Sequence, residues 1–201
     1  MSTELRPRAL LGAALIATVS ALSAAADPHP EEAVLTGAAK ASVAAFASAL
    51  KSELTAAMQA GGPVQAIEVC NTKAPAIADE ISMQQDARIA RVSLRSRNPA
   101  NAPNDWQRAV LESFESQTAA GAEPATLMWH EIVDLGADPG QGREFRFMQA
   151  IPTQSLCLAC HGEMLAPPVA AKIAELYPDD QAIGFSEGDL RGAFVVTRPL
   201  P

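Results

Sequence analysis

The pentapeptide Cys157-Leu158-Ala159-Cys160-His161 constrains this chain more than any other feature. Two cysteines separated by two residues and followed at once by histidine form the C-x-x-C-H pattern of c-type haem attachment. The two thiols can form thioethers to the two vinyl groups of one porphyrin, and the imidazole of His161 then reaches the iron from the same side. A single motif predicts one covalently attached haem c, so the fold has to present both thiols and the imidazole on one short turn.

Two other interpretations of the cysteine pair are a thioredoxin-like redox pair and a plain disulfide. A thioredoxin-type pair normally follows an early strand of a βαβ unit. Here the pair comes late in the chain, after predicted antiparallel strands. Dithiol exchange also has no need for the adjacent His161, so haem attachment is favoured.

The N-terminal segment predicts export. Arg6 and Arg8 form a basic region, residues 9–21 are apolar, and Ala24–Ala26 supplies small residues before Asp27. We expect residues 1–26 to be a cleaved signal peptide, because the apolar run is short for an uncleaved anchor. Residues 27–201 then form one domain in a bacterial periplasm, with no stable membrane span after cleavage.

The charge of the chain limits its partners. The segment expected to be removed has a net charge of +1, so cleavage takes the formal net charge from −8 to −9. An acidic chain with 4% aromatic residues is a poor candidate for binding nucleic acid or an anionic membrane. We expect a separate protein partner instead.

Periodicity predicts an α+β fold, an antiparallel sheet flanked by helices, with a long N-terminal helix. The predicted helices are residues 31–60, ended by Gly61-Gly62, then 63–70, 74–83, 105–120, a short helix carrying the cysteine motif, and 168–176. The predicted strands are residues 88–94, 126–134, 144–151 and 191–197, with a turn around Gly136, Pro139, Gly140 and Gly142. The Ala-rich first helix could form a homodimer or pack on its own sheet.

The iron needs a second axial ligand, and the candidates are Cys70, His130 and the methionines. Cys70 is a lone thiol in an oxidising compartment, which has to be buried, paired or bound. His130 is expected on a strand, where a packed or surface role is more common. Met164 is too near His161 in sequence to reach the opposite haem face, and the remaining methionines at 83, 128 and 148 are predicted core residues.

Four blocks of the chain form a recognisable set. They are Ala66–Cys70 with Ala74-Pro75, Arg91–Arg95 with Arg97–Asn101 and Pro103–Trp106, Cys157–Gly162, and Tyr177–Asp179 with Ala182, Gly184 and Gly188–Ala193. Together they resemble a known family, the single c-type haem proteins with a PAS-like fold found in cyanobacteria and in sensor domains of bacterial kinases and chemoreceptors. The blocks occur in the order expected for that family and cover most of the mature chain.

The resemblance implies a PAS-like antiparallel sheet flanked by helices. It also implies His and Cys as the two axial ligands, with the cysteine in the block that contains Cys70. The usual role proposed for this family is redox sensing, but a shared fold does not by itself assign a function.

An arginine cluster is the remaining candidate for cofactor binding. Arg91, Arg95 and Arg97 are predicted to share one face of an extended strand, and Arg191 is a fourth member. A guanidinium matches a carboxylate with two hydrogen bonds, so these residues are expected to contact the haem propionates. A solvated strand face is the alternative.

Three functional classes follow from these residues. Redox or gas-ligand sensing is favoured, because reduction of a histidine–thiolate iron can release the thiolate and open a binding position. A low-potential electron-transfer cytochrome is the alternative, and it requires the same ligands in both oxidation states. A peroxidase-type enzyme needs an open iron position and is disfavoured if Cys70 fills it.

Overall fold

The computed structural model describes residues 30–136 and 142–201. The predicted signal peptide, residues 1–26, and the Pro139-Gly140 part of the predicted turn lie outside these residues. The predicted α+β architecture is confirmed, with a long N-terminal helix and four antiparallel strands flanked by helices.

A kinked helical hairpin forms the N-terminal part of the described chain. Helix α1 spans Pro30–Glu68 and bends at Gly62, which has a φ of 72° and a ψ of −164°. A π-helical turn, Val69–Lys73, then leads into α2, Ala74–Gln85. Since Lys73 reaches Glu53 on the first arm, with 3.9 Å between Nζ and Oε2, the chain returns along α1 after the bend.

Four strands form one sheet in the order β1-β4-β3-β2, with every neighbouring pair antiparallel. The strands are β1, Arg88–Val92; β2, Met128–Asp134; β3, Arg143–Pro152; and β4, Leu190–Leu200. The remaining helices are α3, Asp105–Ala119; α4, Leu158–His161; and α5, Pro167–Leu176. Helix α3 starts with a capping box between Asn104 and Gln107, which satisfies two backbone amides at its first turn.

Strand alternation divides the interior into two layers. One sheet face, including Phe145 and Phe147, packs against Phe46 and its neighbours on α1 and α2. The opposite face, including Met148, packs against Phe114 and its neighbours on α3. A third, smaller cluster joins the second arm of α1 to α5 beneath the cysteine motif; it comprises Ile67, Val169, Ile173 and Tyr177.

The first predicted strand is too long. Strand β1 ends at Val92 because the next amide, that of Ser93, donates to the carbonyl of Asn101 at 3.1 Å and leaves the sheet. Arg95 and Arg97 therefore do not share a strand face with Arg91. The methionine predictions are also mixed: Met148 is fully buried, whereas Met83 is 79% exposed and Met128 is 44% exposed.

The helical run Pro30–Gln85 is long and apolar enough to cross a membrane by length and composition, with a hydropathy of 1.5 in its most apolar window. Its buried side chains, such as Val43 and Phe46, belong to the core against the sheet. The expected lack of a membrane span in the mature chain stays a prediction.

Replacing Gly192 with alanine should lower the free energy of unfolding by about 1–3 kcal/mol. Gly192 has a φ of 154°, and a Cβ there would lie 2.3 Å from the carbonyl oxygen of Val92. Thermal denaturation of the Gly192→Ala variant measures the effect. As a control, Gly37→Ala adds its methyl group where no atom lies within 4 Å, inside α1, and should stabilise by roughly 0.5–1 kcal/mol. Equal melting temperatures for the two variants would contradict this account.

Candidate functional site

The cysteine motif occupies one tight turn at the carboxyl end of β3. A 3₁₀ turn, Ser155–Cys157, continues directly into α4, which ends at His161. The helix stops there because Gly162 is extended, and its amide donates to the carbonyl of Leu158 at 3.0 Å. A Cβ on Gly162 would lie 2.6 Å from that same oxygen. The turn holds Cys157, Cys160 and His161 together, all three half-buried.

The segment 182–185 runs beside this turn and fixes the imidazole. The amides of Gly184 and Phe185 donate to the carbonyls of Gly162 and His161 at 3.0 and 2.9 Å. The Nδ1 atom of His161 lies 2.7 Å from the carbonyl oxygen of Ala182. Since a carbonyl can only accept, Nδ1 carries the hydrogen and Nε2 keeps a free lone pair. Metal-binding histidines are held in this way by a hydrogen bond from the other ring nitrogen.

A buried ion pair supports the same turn. Arg97 donates to both carboxylate oxygens of Asp180, each at 3.1 Å, and the two side chains are only 8% and 9% exposed. Nη2 of Arg97 also donates to the carbonyls of Cys160 and Ala182 at 2.7 and 3.1 Å. The alternative of a solvated strand face is wrong for Arg97, because its side chain is buried and donates hydrogen bonds to Asp180 and to two backbone carbonyls.

Burial is the main influence on the protonation of His161. Together with the positive charges of Arg191 and Arg97, it lowers the pKa of His161 to about 2. The imidazole is therefore neutral throughout the physiological range, as a metal ligand requires. Burial also raises the pKa of Cys160, although Arg97 acts in the opposite direction.

Cys70 reaches the site from the helical hairpin. It lies in the π-helical turn Val69–Lys73, where the helix widens because Pro75 has no N–H to donate to the carbonyl four residues earlier. The Cys70 thiol is half-buried and close enough to raise the pKa of Cys160 and of Tyr177. The structure thus brings Cys70 and the cysteine motif into one neighbourhood.

The other candidates for the second axial position lie elsewhere. His130 is on β2, with Nε2 4.0 Å from Glu32 near the start of α1. Lys73, three residues after Cys70, reaches Glu53 on α1, and about 30 Å of helix separates Glu32 from Glu53 at roughly 1.5 Å per residue. Met148 packs in the α3 layer, and Met164 is 92% exposed.

Three further arginines border the site. The guanidinium of Arg91 lies over the Phe46 ring, 5.7 Å from its centroid. Arg191 donates from Nη1 to the Ser93 hydroxyl at 3.0 Å, while its buried Nε has no partner within the described residues. Arg95 donates to the carbonyls of Gln181 and Ile183 and lies 4.2 Å from the centroid of the Phe185 ring.

These arginines make the site electropositive. Burial, together with the positive charges of Arg97 and Arg91, lowers the pKa of Arg191 to about 10. Burial also lowers the pKa of Arg91. An anionic group near the orphaned Nε of Arg191 would relieve both the crowding of charge and the missing hydrogen bond.

The residues present fit a covalently bound haem. The site combines two neighbouring thiols, an imidazole with a free Nε2, a third thiol and three arginines without a carboxylate partner in the described part of the chain, which is a suitable donor set. Over residues 30–136 and 142–201, no group of three His, Cys, Asp or Glu side chains is arranged to hold a bare metal ion.

A cavity of about 310 Å³ lies on the other side of the sheet, between α3 and the segments 93–95 and 185–192. It is lined by Arg95, Leu111, Glu115, Phe185 and other residues, but by none of the three cysteines. Arg95 and Phe185 border both this cavity and the candidate haem site, and the Phe185 ring meets the His161 ring edge-on with 6.3 Å between their centroids.

Sequence reasoning missed Asp180 and Ala182 as supports of the site. Asp180 lies 83 residues from its partner Arg97, and nothing local in the sequence pairs them. Ala182 acts through its backbone carbonyl, which any residue type supplies. The sequence pointed to these two residues only through the fourth block of the family resemblance: Asp180 directly follows Tyr177–Asp179, and Ala182 belongs to the block.

Comparisons with known proteins give a consistent result. A sequence profile of the Tll0287-like family matches residues 11–199. Among solved structures, the cyanobacterial haem protein Tll0287 superposes with a TM-score of 0.58 and 25% sequence identity, over 85% of this chain and 96% of that chain. No curated protein matches. Because the profile spans nearly the whole sequence, the chain belongs to the Tll0287-like family.

Proposed function

We propose that this chain is a periplasmic c-type haem protein with one covalently attached haem, and that it senses redox state or a small gas ligand. The observation that carries the proposal is the bond from His161 Nδ1 to the Ala182 carbonyl, since it leaves Nε2 free on the same turn as two thiols. The family relative described as a haem protein supports the same assignment.

Each residue of the site has a separate role in this proposal. Cys157 and Cys160 add their S–H groups across the two vinyl groups, forming two thioether bonds without a change in the iron. His161 is the proximal ligand and the Cys70 thiolate is the opposite one. When bound, the haem supplies a one-electron redox centre and an exchangeable coordination position.

Arg91 and Arg191 are the best candidates for contact with the propionates. Arg191 has a buried Nε without an acceptor, and Arg91 contacts only a ring face among the described groups. Arg95 already donates to two carbonyls and is more exposed. Arg97 is reassigned from propionate binding to support of the cysteine–histidine turn, because Asp180 and two carbonyls occupy its Nε and Nη2 donors.

The position of Cys70 favours sensing over simple electron transfer. It lies on a π-helical turn between two helical arms, and π-helical turns are frequent at functional sites. Loss of the thiolate on reduction would free this turn to relax, which links the iron to α1 and α2. A separate protein partner would then read the change. The acidic net charge argues against nucleic acid as that partner.

Covalent attachment is tested by intact-mass spectrometry after coexpression with a cytochrome c maturation system. The wild-type chain should gain the mass of one haem and begin at Asp27. The double variant Cys157→Ser with Cys160→Ser should gain none, because no thioether can form. The Cys70→Ser variant is the matched control and should retain the haem mass, since Cys70 makes no thioether. A wild-type protein without bound haem would contradict the proposal.

Carbon monoxide binding separates sensing from electron transfer. We expect the ferrous wild-type protein to bind CO, with a shift of the Soret band, because the Cys70 thiolate leaves the reduced iron. The ferric protein should not respond. Cys70→Ala serves as the positive control for an open position. If ferrous wild type keeps its spectrum under CO while the control responds, the ligands are retained on reduction and electron transfer is the better account.

A further inference from the structure

One backbone carbonyl serves two donors at the proximal side of the site. The oxygen of Ala182 lies 2.7 Å from His161 Nδ1 and 3.1 Å from Arg97 Nη2. A carbonyl has two lone pairs, so it can accept from both at once. The imidazole therefore shares its hydrogen-bond acceptor with a positively charged guanidinium.

Asp180 holds this arrangement in place. Its carboxylate accepts from Nε and Nη2 of Arg97 and, through Oδ1, from the amide of Ala182 at 2.8 Å. Nη2 of Arg97 also donates to the Cys160 carbonyl at 2.7 Å, so its two hydrogens are shared among three acceptors. With both side chains less than a tenth exposed, little water screens these contacts. The ion pair thus connects Cys160, His161 and Ala182 as one rigid unit.

The opposite charges of Arg97 and Asp180 help to separate the effect of the hydrogen bond at Ala182 from that of net charge. The Arg97–Asp180 pair is formally neutral, so its influence at the iron comes from hydrogen bonding at Ala182 more than from net charge. A charged donor draws electron density from the carbonyl oxygen, because hydrogen bonds that share a group polarise it. The bond from Nδ1 is weaker as a result, and the imidazole donates less charge through Nε2 to the iron.

We propose that Arg97, positioned by Asp180, limits the electron-donor strength of His161 by sharing the Ala182 carbonyl with it. Arg97 is a positioning residue in this account, and it acts in the direction opposite to the Cys70 thiolate, which donates charge from the other haem face. The inference rests on the proposed ligation of iron by His161.

The test is resonance Raman spectroscopy of the ferrous, haem-loaded protein in a Cys70→Ala background, which leaves His161 as the only protein ligand. The variant Arg97→Met with Asp180→Asn removes the guanidinium and keeps the pair neutral. We expect its iron–histidine stretching frequency to rise and its reduction potential to fall, because Nδ1 then has the carbonyl to itself. A frequency equal to that of the background protein would overturn the inference.

Two further variants keep the test decisive. Arg97→Lys retains the positive charge but loses the two-pronged geometry of the guanidinium, so it should raise the iron–histidine stretching frequency by a smaller amount. If the double variant does not fold, the Arg97→Lys variant tests the inference by itself. Arg146→Met with Glu144→Gln removes another ion pair, in which 2.7 Å separates the two charged atoms, together with the 3.2 Å contact between Arg146 and Glu131, at the far end of β3 from the site. This control should leave the frequency unchanged, and an equal rise in it would also overturn the inference.

The outcomes separate this inference from the proposed function. If the background protein lacks covalent haem or shows no iron–histidine band, the proposed ligation by His161 fails. If it shows both and the Arg97 variants match it, the ligation stands and the role assigned to Arg97 is wrong.

Discussion

The hydrogen bond from His161 to the Ala182 carbonyl is the contact on which the candidate site depends. It selects one tautomer of the half-buried, neutral imidazole, in which Nδ1 faces the segment 182–185 and Nε2 keeps a free lone pair. Two backbone bonds between 161–162 and 184–185 keep the acceptor in register with the ring. The Arg97–Asp180 pair then stabilises the contact between the cysteine–histidine turn and the segment 182–185, because Arg97 donates to the carbonyls of both Cys160 and Ala182. These contacts hold the His161 side chain in the orientation that the proposed ligation requires.

The helical hairpin and the sheet bring the second ligand candidate to the same place. The bend at Gly62 sends the chain back along α1, and the π-helical turn that follows carries Cys70. One sheet face supports this hairpin through Phe46, Phe145 and their neighbours, while α3 covers the other face. The hairpin is thus fixed by packing along its length, while the turn at Cys70 has the rarer π-helical geometry that occurs frequently at functional sites. That combination suits a coupling between ligand exchange and helix position.

Much of the fold was predictable from local sequence, because the relevant signals are local. Hydrophobic periodicity marked the helices and strands, and Asn104 marked the start of α3. The cysteine motif directly predicted the short turn that carries Cys157, Cys160 and His161. The end of β1 was not predictable, since a contact from Ser93 to the backbone of Asn101 decides it. The role of Arg97 was equally hidden, because a buried partner 83 residues away overrides the alternating pattern of charge.

Low-temperature EPR of the ferric, haem-loaded protein, with Cys70→Ser measured beside it, tests the central claim most directly. The account predicts a low-spin thiolate signal in the wild-type protein that is lost in the variant, which would establish His161 and Cys70 as the two axial ligands. An unchanged spectrum in the variant would remove Cys70 from the iron and contradict the proposed ligand exchange. A high-spin wild-type spectrum would contradict it as well, because the second axial position would then be open.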